Sequence, residues 1–163
     1  SEPERTVLIL QHEPTAPADM LAEWLRAREV AYETVPVWEQ GPPGDAGTWE
    51  WICSLGSDET PHRPGAAAWV DAEVAFLRAA LAAGIPVLGL CFGGQALRLG
   101  VQFHPETGPA VVAGWAESER ERLTELSIDP AGVAAGGRLL GSLPRDLAFT
   151  LFDAWRARLA DSR

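Results

Sequence analysis

Four short runs in the first part of the chain predict β-strands. The first run, TVLILQ, holds β-branched and aliphatic residues without alternation, which is typical of a strand covered on both faces in a parallel sheet. Turn-rich sequence such as QGPPGDAG separates two of the runs. The predicted strands are residues 6–11, 32–37, 50–55 and 85–90.

Two stretches between these strands keep the spacing of helices. Residues 17–29 form the first, and its stripe includes Met20, Leu21, Trp24 and Leu25. Residues 66–83 form the second, and its stripe consists of Val70, Val74, Leu77 and Leu81. Strands that alternate with helices predict an open, mostly parallel α/β sheet with helices on both faces. Such sheets place their functional sites at the carboxyl ends of the strands.

The C-terminal part of the chain is predicted to be helical. The expected helices cover residues 109–126, 130–140 and 144–159. A charged run at residues 117–122 is interpreted as a solvated helix face. Because 163 residues suffice for one hydrophobic core, we expect residues 1–163 to form a single domain.

Composition narrows the class of function. Thirteen basic residues against 23 acidic ones give a net charge of −10, so neither nucleic acid nor a membrane surface is an expected partner. All basic residues are arginine, which excludes Schiff-base lysine chemistry. Cys53 and Cys91 have no CxxC spacing, which disfavours a disulfide scaffold and a zinc site. With no signal segment apparent, we predict a cytoplasmic protein without metal or cofactor.

Cys91 lies in a motif that is typical of a catalytic nucleophile. The sequence Gly-Leu-Cys-Phe-Gly follows the last predicted strand and precedes a candidate helix. Small flanking residues permit the sharp strand-to-helix turn that exposes such a nucleophile, and a nearby helix N-terminus favours the thiolate. Cys53, in the middle of a predicted strand, is interpreted as a core thiol.

A candidate base follows soon after this motif. His104 lies at the end of a short apolar run that predicts a strand, and Glu106 comes two positions later. A thiol nucleophile needs a base, and the imidazole of that base needs a third group to orient it. Cys91, His104 and Glu106 supply these three types of group.

The sequences GLCFGGQ and QFHPE together resemble those of the class I, or triad, glutamine amidotransferases. The resemblance implies a flavodoxin-like sheet and a Cys91 thiol that attacks the side-chain amide of glutamine, with ammonia released through a glutamyl thioester. It implies that His104 is the general acid and base and that Glu106 orients it. The Phe92 backbone N–H would be an oxyanion donor, and Gln95 would help to hold the substrate.

The family also places a glycine-bearing turn after the third strand, as the other half of the oxyanion hole. Gly56 matches this turn, whereas Ser57 and Asp58 depart from the commoner Gly-Gly-Pro form. This departure resembles a subgroup of stand-alone bacterial amidotransferase-like proteins whose acceptors are often unassigned. A synthase that consumes ammonia is the partner class that the resemblance implies, and the acceptor stays open.

The spacing of the two motifs differs from that of the family, in which several dozen residues with further strands separate them. Here His104 follows Cys91 by only 13 positions. A short helix and a direct extended return nearly match in length, but a parallel crossover normally takes about a dozen residues or more. Strands are therefore expected to be lacking between Leu97 and Val101. Three explanations of the short spacing are open: a segment absent from this sequence, a real deletion, and a minimal fold with a direct return of the chain.

Three functions are compatible with these motifs. The leading hypothesis is glutamine amidotransfer or glutaminase chemistry. The alternatives are a hydrolase of γ-glutamyl or other small amides, and a catalytically inactive amidotransferase-like binding module. Of the remaining histidines, we interpret His12 as a solvated loop residue, with a pocket-lining role as the alternative, and His62 as a surface or lid residue.

Overall fold

The computed structural model describes residues 6–59, 65–97 and 103–161. Its strands are all parallel and lie in the order β2-β1-β3-β4. They are β1 (Val7–Gln11), β2 (Tyr32–Pro36), β3 (Ile52–Ser54) and β4 (Val87–Gly89). The four predicted strands are confirmed, and β3 and β4 are shorter than their predicted ranges.

Helices follow the strands in the expected alternation. They are α1 (Asp19–Ala27), α2 (Val37–Gln40), α3 (Ala68–Ala82) and α4 (Phe92–Leu97). Gly84 ends α3 with a φ of 75°, a left-handed conformation that glycine adopts without strain, and its N–H donates to Leu81 O at 3.0 Å. This parallel α/β sheet with its helices is consistent with a flavodoxin-like fold.

Strand β1 lies in the core, and its residues Val7, Leu8, Ile9 and Leu10 are fully buried. Because successive side chains of a strand point to opposite faces, both faces of the sheet are covered at β1. Helix α3 contributes Phe76, Leu77 and Ala80 to the apolar cluster on one face. The predicted stripe on this helix is wrong at Leu81, which is half exposed, because the buried line ends at the smaller Ala80.

The chain divides into two compact units. Unit 1 comprises the residues up to Ala18 and Leu25–His104, and therefore contains the sheet. Unit 2 comprises Asp19–Trp24 and the residues from Pro105 onward. A single domain over residues 1–163 stays a prediction.

Unit 2 is helical, as predicted. Its helices are α5 (Pro109–Ser118), α6 (Arg120–Glu125), α7 (Pro130–Leu139) and α8 (Leu143–Asp161), so that the predicted helix over 109–126 divides at Glu119. Trp24 donates its indole N–H to Asp153 at 2.9 Å and packs against Phe152. None of the helices in the described ranges combines the length and the apolar character needed to cross a membrane.

Candidate active site

Cys91 occupies the turn between β4 and α4 with a φ of 49°. This left-handed conformation is uncommon for a residue with a side chain and marks local backbone strain. The strand-to-helix turn predicted from the Gly-x-Cys-x-Gly sequence is therefore present at Cys91. The side chain is partly exposed, whereas that of Cys53 is fully buried, as expected for a core thiol.

Both glycines of this motif lie in close contact with backbone. A Cβ atom at Gly89 would come within 2.6 Å of the Gly93 carbonyl and the Gly94 nitrogen. A Cβ atom at Gly93 would overlap the Ser54 carbonyl oxygen and lie 2.7 Å from Ser54 Cβ. The turn at Cys91 can form only because neither position carries a side chain.

The end of β3 lies beside this turn. Leu90 N–H donates to Ser54 O at 2.9 Å, and Gly93 N–H donates to Leu55 O at 3.3 Å. These bonds hold the residues on either side of Cys91 against the carboxyl end of β3. The candidate nucleophile is thus at the edge of the sheet where parallel α/β folds place their sites.

His104 lies at the same end of β3. It contacts Gly56, the residue that follows Leu55. A Cβ atom at Gly56 would overlap His104 Cε1 and lie 3.2 Å from His104 Nδ1. The imidazole therefore rests on the bare α-carbon of Gly56. The segment 54–56 contacts both the turn that carries Cys91 and the side chain of His104.

The other predicted substrate-binding residues lie in α4 and directly after Gly56. Phe92 is fully buried directly after Cys91, and Ser57 follows Gly56. The Ser57 hydroxyl accepts a hydrogen bond from Glu59 N–H at 3.0 Å, which closes a small turn. Gln95 belongs to α4, and its side chain lies outside what the structure describes.

His12 is buried, so its interpretation as a solvated loop residue is wrong. It is 3% exposed, with Nδ1 3.1 Å from Gly56 O and Nε2 2.7 Å from Glu73 Oε2. Ser54 Oγ donates to Glu73 Oε1 at 2.6 Å. The polarity of the sequence after β1 suggested solvent, but Glu73 supplies a buried partner. Glu73 is spaced three residues after Val70 and four before Leu77, and this spacing was the available signal.

Glu106 belongs to unit 2, where it is 2% exposed. Its backbone oxygen accepts from Met20 N–H at 2.8 Å, and Gly108 N–H donates to Asp19 Oδ2 at 2.7 Å. The first residues of α1 therefore fix the backbone of the loop that carries Glu106.

The segment that precedes His104 is only partly described. Phe103 and His104 lie in irregular backbone rather than in the predicted strand, and Phe103 is 58% exposed. Residues 98–102, and with them Val101 and the return of the chain from Leu97, lie outside the described residues, as does His62. The explanation of the short spacing between the two motifs therefore stays open.

One carboxyl group near the site is electrostatically perturbed. Glu13 follows His12 and accepts a hydrogen bond from Asp58 N–H at 3.3 Å. Burial, and after it repulsion from Asp58, raises the pKa of Glu13 above its ordinary value of 4.5. Over the residues that the structure describes, no group of three or more His, Cys, Asp or Glu side chains is arranged to hold a metal ion.

Comparison with known proteins adds information on the fold. No family model matches the chain, and no curated protein matches it. A glutamine amidotransferase from Thermotoga maritima superposes with a TM-score of 0.81 at 14% identity, over 93% of this chain and 97% of that one. A glutamine amidotransferase from Methylobacillus flagellatus gives 0.52 at 21% identity, over 57% of this chain and 37% of that one. The chain has a class I glutamine amidotransferase-like fold.

Proposed function

We propose that this chain hydrolyses the side-chain amide of glutamine and releases ammonia, with Cys91 as the nucleophile. The observation that carries the proposal is the strained backbone of Cys91 at a strand-to-helix turn, held against the strand end on which His104 rests. The fold shared with glutamine amidotransferases supports glutamine as the substrate.

Each half of the reaction requires two proton transfers, which one imidazole can perform. His104 takes the thiol proton as Cys91 Sγ bonds to the amide carbon, and then gives it to the nitrogen that leaves as ammonia. The product is a glutamyl thioester on Cys91. Water, deprotonated by His104, attacks this thioester, and glutamate leaves as the proton returns to the sulfur.

Negative charge develops on the amide oxygen in the transition state, and hydrogen-bond donors are needed to stabilise it. We assign this role to the backbone N–H groups of Phe92 and Ser57, which lie directly after Cys91 and Gly56 in sequence. Glu106 is proposed to orient His104, and Gln95 to hold the substrate, on their positions in the two motifs. Serine at position 57 leaves the N–H donor in place, because serine has a backbone N–H just as glycine does.

The test is an assay of glutamate release by the purified chain, with Cys91→Ala, His104→Ala and Cys53→Ala in parallel. We expect kcat to fall about 10³-fold or more in the first two variants, because members of a catalytic unit act together. Cys53→Ala is the matched control, since it removes a fully buried thiol and should retain activity. Activity that persists in Cys91→Ala contradicts the proposal.

A second measurement separates the remaining functions. A γ-diazoketone analogue of glutamine should label Cys91 and leave Cys53 unmodified. A folded protein that resists labelling would instead favour a binding module, and turnover of γ-glutamyl amides in preference to glutamine would favour a small-amide hydrolase. Ammonia transfer to a partner synthase is the expected use of the product, and its acceptor is a separate question.

A further inference from the structure

A buried polar cluster lies next to the candidate active site in unit 1. Its members are His12, Ser54 and Glu73, here called the His12 cluster. The side chains of His12 and Glu73 are fully buried, and Ser54 is fully buried as well. Buried polar groups are costly unless they are hydrogen-bonded, and a buried ion pair is weak evidence of a net contribution to stability. This cluster therefore invites a functional explanation.

The hydrogen-bond partners determine where the protons lie. Gly56 O is a carbonyl oxygen and can only accept, so His12 Nδ1 must donate across their 3.1 Å separation. Glu73 Oε1 accepts from the Ser54 hydroxyl, which leaves Oε2 to share one proton with His12 Nε2 at 2.7 Å. Whether this proton resides on nitrogen or on oxygen, Nδ1 stays a donor. The side chains of the His12 cluster are thus hydrogen-bonded to one another, and His12 donates its Nδ1–H to the Gly56 carbonyl.

That contact has a direct consequence for the next residue. The Gly56 carbonyl and the Ser57 N–H belong to one peptide unit, which is planar and trans, so they point in opposite directions. The hydrogen bond from His12 Nδ1 fixes the orientation of the Gly56 carbonyl. It therefore also fixes the orientation of the Ser57 N–H, which points the opposite way. In the proposed function, this N–H is an oxyanion donor.

The same imidazole also contacts the other proposed donor segment. Its ring lies 4.8 Å from the Phe92 ring at 58°, and it stacks on Trp69 at 4.9 Å and 13°. Phe92 is the residue whose backbone N–H we assign as the second donor. One buried ring therefore contacts the Gly56 carbonyl and the side chain of Phe92, the two residues that adjoin or carry the proposed donors.

We propose that His12 is a positioning residue for the oxyanion hole, acting through Gly56 O and held in its donating state by Glu73 and Ser54. This inference rests on the proposed function. His12 is not a catalytic residue, because its side chain is fully buried and both ring nitrogens are bonded to protein atoms. Its effect on the reaction is indirect.

The test replaces His12 by asparagine or by glutamine, because the side-chain amide of each imitates one nitrogen of the imidazole ring. Asparagine keeps an N–H near the position of Nδ1, whereas the longer glutamine places its amide near the position of Nε2. Because an oxyanion donor acts on charge that develops in the transition state, we expect His12→Gln to lower kcat about 10²-fold with KM for glutamine changed less than about threefold. We expect His12→Asn to recover at least about tenfold of that loss, since it restores the bond to Gly56 O.

Trp69→Phe is the matched control. It alters the packing of the same imidazole but not its hydrogen bonds, so kcat should stay within about threefold of the wild type if the bond is what matters. A loss in Trp69→Phe as large as that in His12→Gln would overturn the proposal, because packing would then account for the effect. Equal kcat in folded His12→Asn and His12→Gln would overturn it too.

The two proposals fail in different ways in this assay. A wild-type chain without glutaminase activity overturns both. An active wild type with undiminished kcat in His12→Gln overturns only the role of His12. A ¹⁵N NMR measurement on the unmodified protein covers variants that fail to fold: at pH 7 His12 Nδ1 must carry a proton, and an unprotonated Nδ1 overturns the proposal.

Discussion

The imidazole of His104 lies on the bare α-carbon of Gly56, so that a methyl group at that position would overlap His104 Cε1. This contact ties the candidate base to the strand end that also holds the turn of Cys91. It makes Gly56 a position where space, rather than backbone conformation, requires glycine.

Gly56→Ala should therefore impair catalysis more than stability. The added methyl displaces the imidazole, and misplacement of a catalytic group by about 1 Å can cost about 10²-fold in rate, so we expect kcat to fall by about that factor. Gly44→Ala is the control, because a Cβ atom there has no neighbour within 4 Å. Unchanged kcat in Gly56→Ala would show that His104 need not occupy this position during the reaction.

Gly93→Ala should lower stability instead. Its methyl would meet the backbone oxygen and the Cβ atom of Ser54, neither of which can move aside without disturbing β3. Overpacking of this kind typically costs about 1–3 kcal/mol in the free energy of unfolding, measurable by urea denaturation. Gly114→Ala, in α5 with open space around it, should instead gain about 0.5–1 kcal/mol from helix propensity. A destabilisation shared equally by both variants would contradict this account.

Cys91 offers a test of stored strain. Cys91→Ala retains the left-handed φ of 49° with a side chain, whereas Cys91→Gly adopts it freely. We expect the glycine variant to be more stable than the alanine variant by about 0.5–1 kcal/mol, after the greater entropy of glycine in the unfolded chain is included. Thermal or urea unfolding of the two inactive variants measures the difference, and the reverse order would mean that the turn at Cys91 is relaxed.

Glu13 should make stability depend on pH. Its pKa is raised in the folded state, so the folded chain binds the proton more tightly and wild-type stability falls as pH rises above the ordinary value of 4.5. Glu13→Gln does not titrate, so its advantage in Tm over the wild type should grow between pH 4 and pH 7. Asp58→Asn removes the repulsion that is the second cause of the raised pKa. In a protein that carries Asp58→Asn, the difference in Tm that Glu13→Gln produces should therefore change less with pH. A Tm difference that is constant with pH contradicts this prediction.

The sheet could be predicted from sequence because three of its strands come from apolar runs, while β2 is indicated by the strand-forming residues Tyr32, Thr34 and Val35. The turn at Cys91 was predictable for a different reason, since Gly89 and Gly93 flank it at the required spacing. Both features depend on residues that are close together in sequence, so they can be predicted without knowledge of the tertiary structure. The phase of the α3 stripe was harder, because Leu81 and Ala80 fit a helical repeat almost equally well.

His12 and Glu73 were not predictable in the same way. Each is polar, and in isolation each is most often solvated. Their burial depends on a pairing across 61 positions of sequence, with Ser54 and Gly56 O as further partners. Only the fold brings these groups together, and a single sequence carries no signal of such a pairing beyond the spacing of Glu73 on its helix.

Unit 2 is discontinuous in sequence, and this has a consequence for dissecting the protein. A fragment that begins at Pro105 would lack Trp24, whose indole bonds Asp153, and Asp19, whose carboxylate holds Gly108 N–H. The loop that carries Glu106 would lose its anchor as well. Cutting the chain after His104 therefore does not yield two independent folding units, and a two-fragment complementation design would have to keep residues 19–24 with the C-terminal helices.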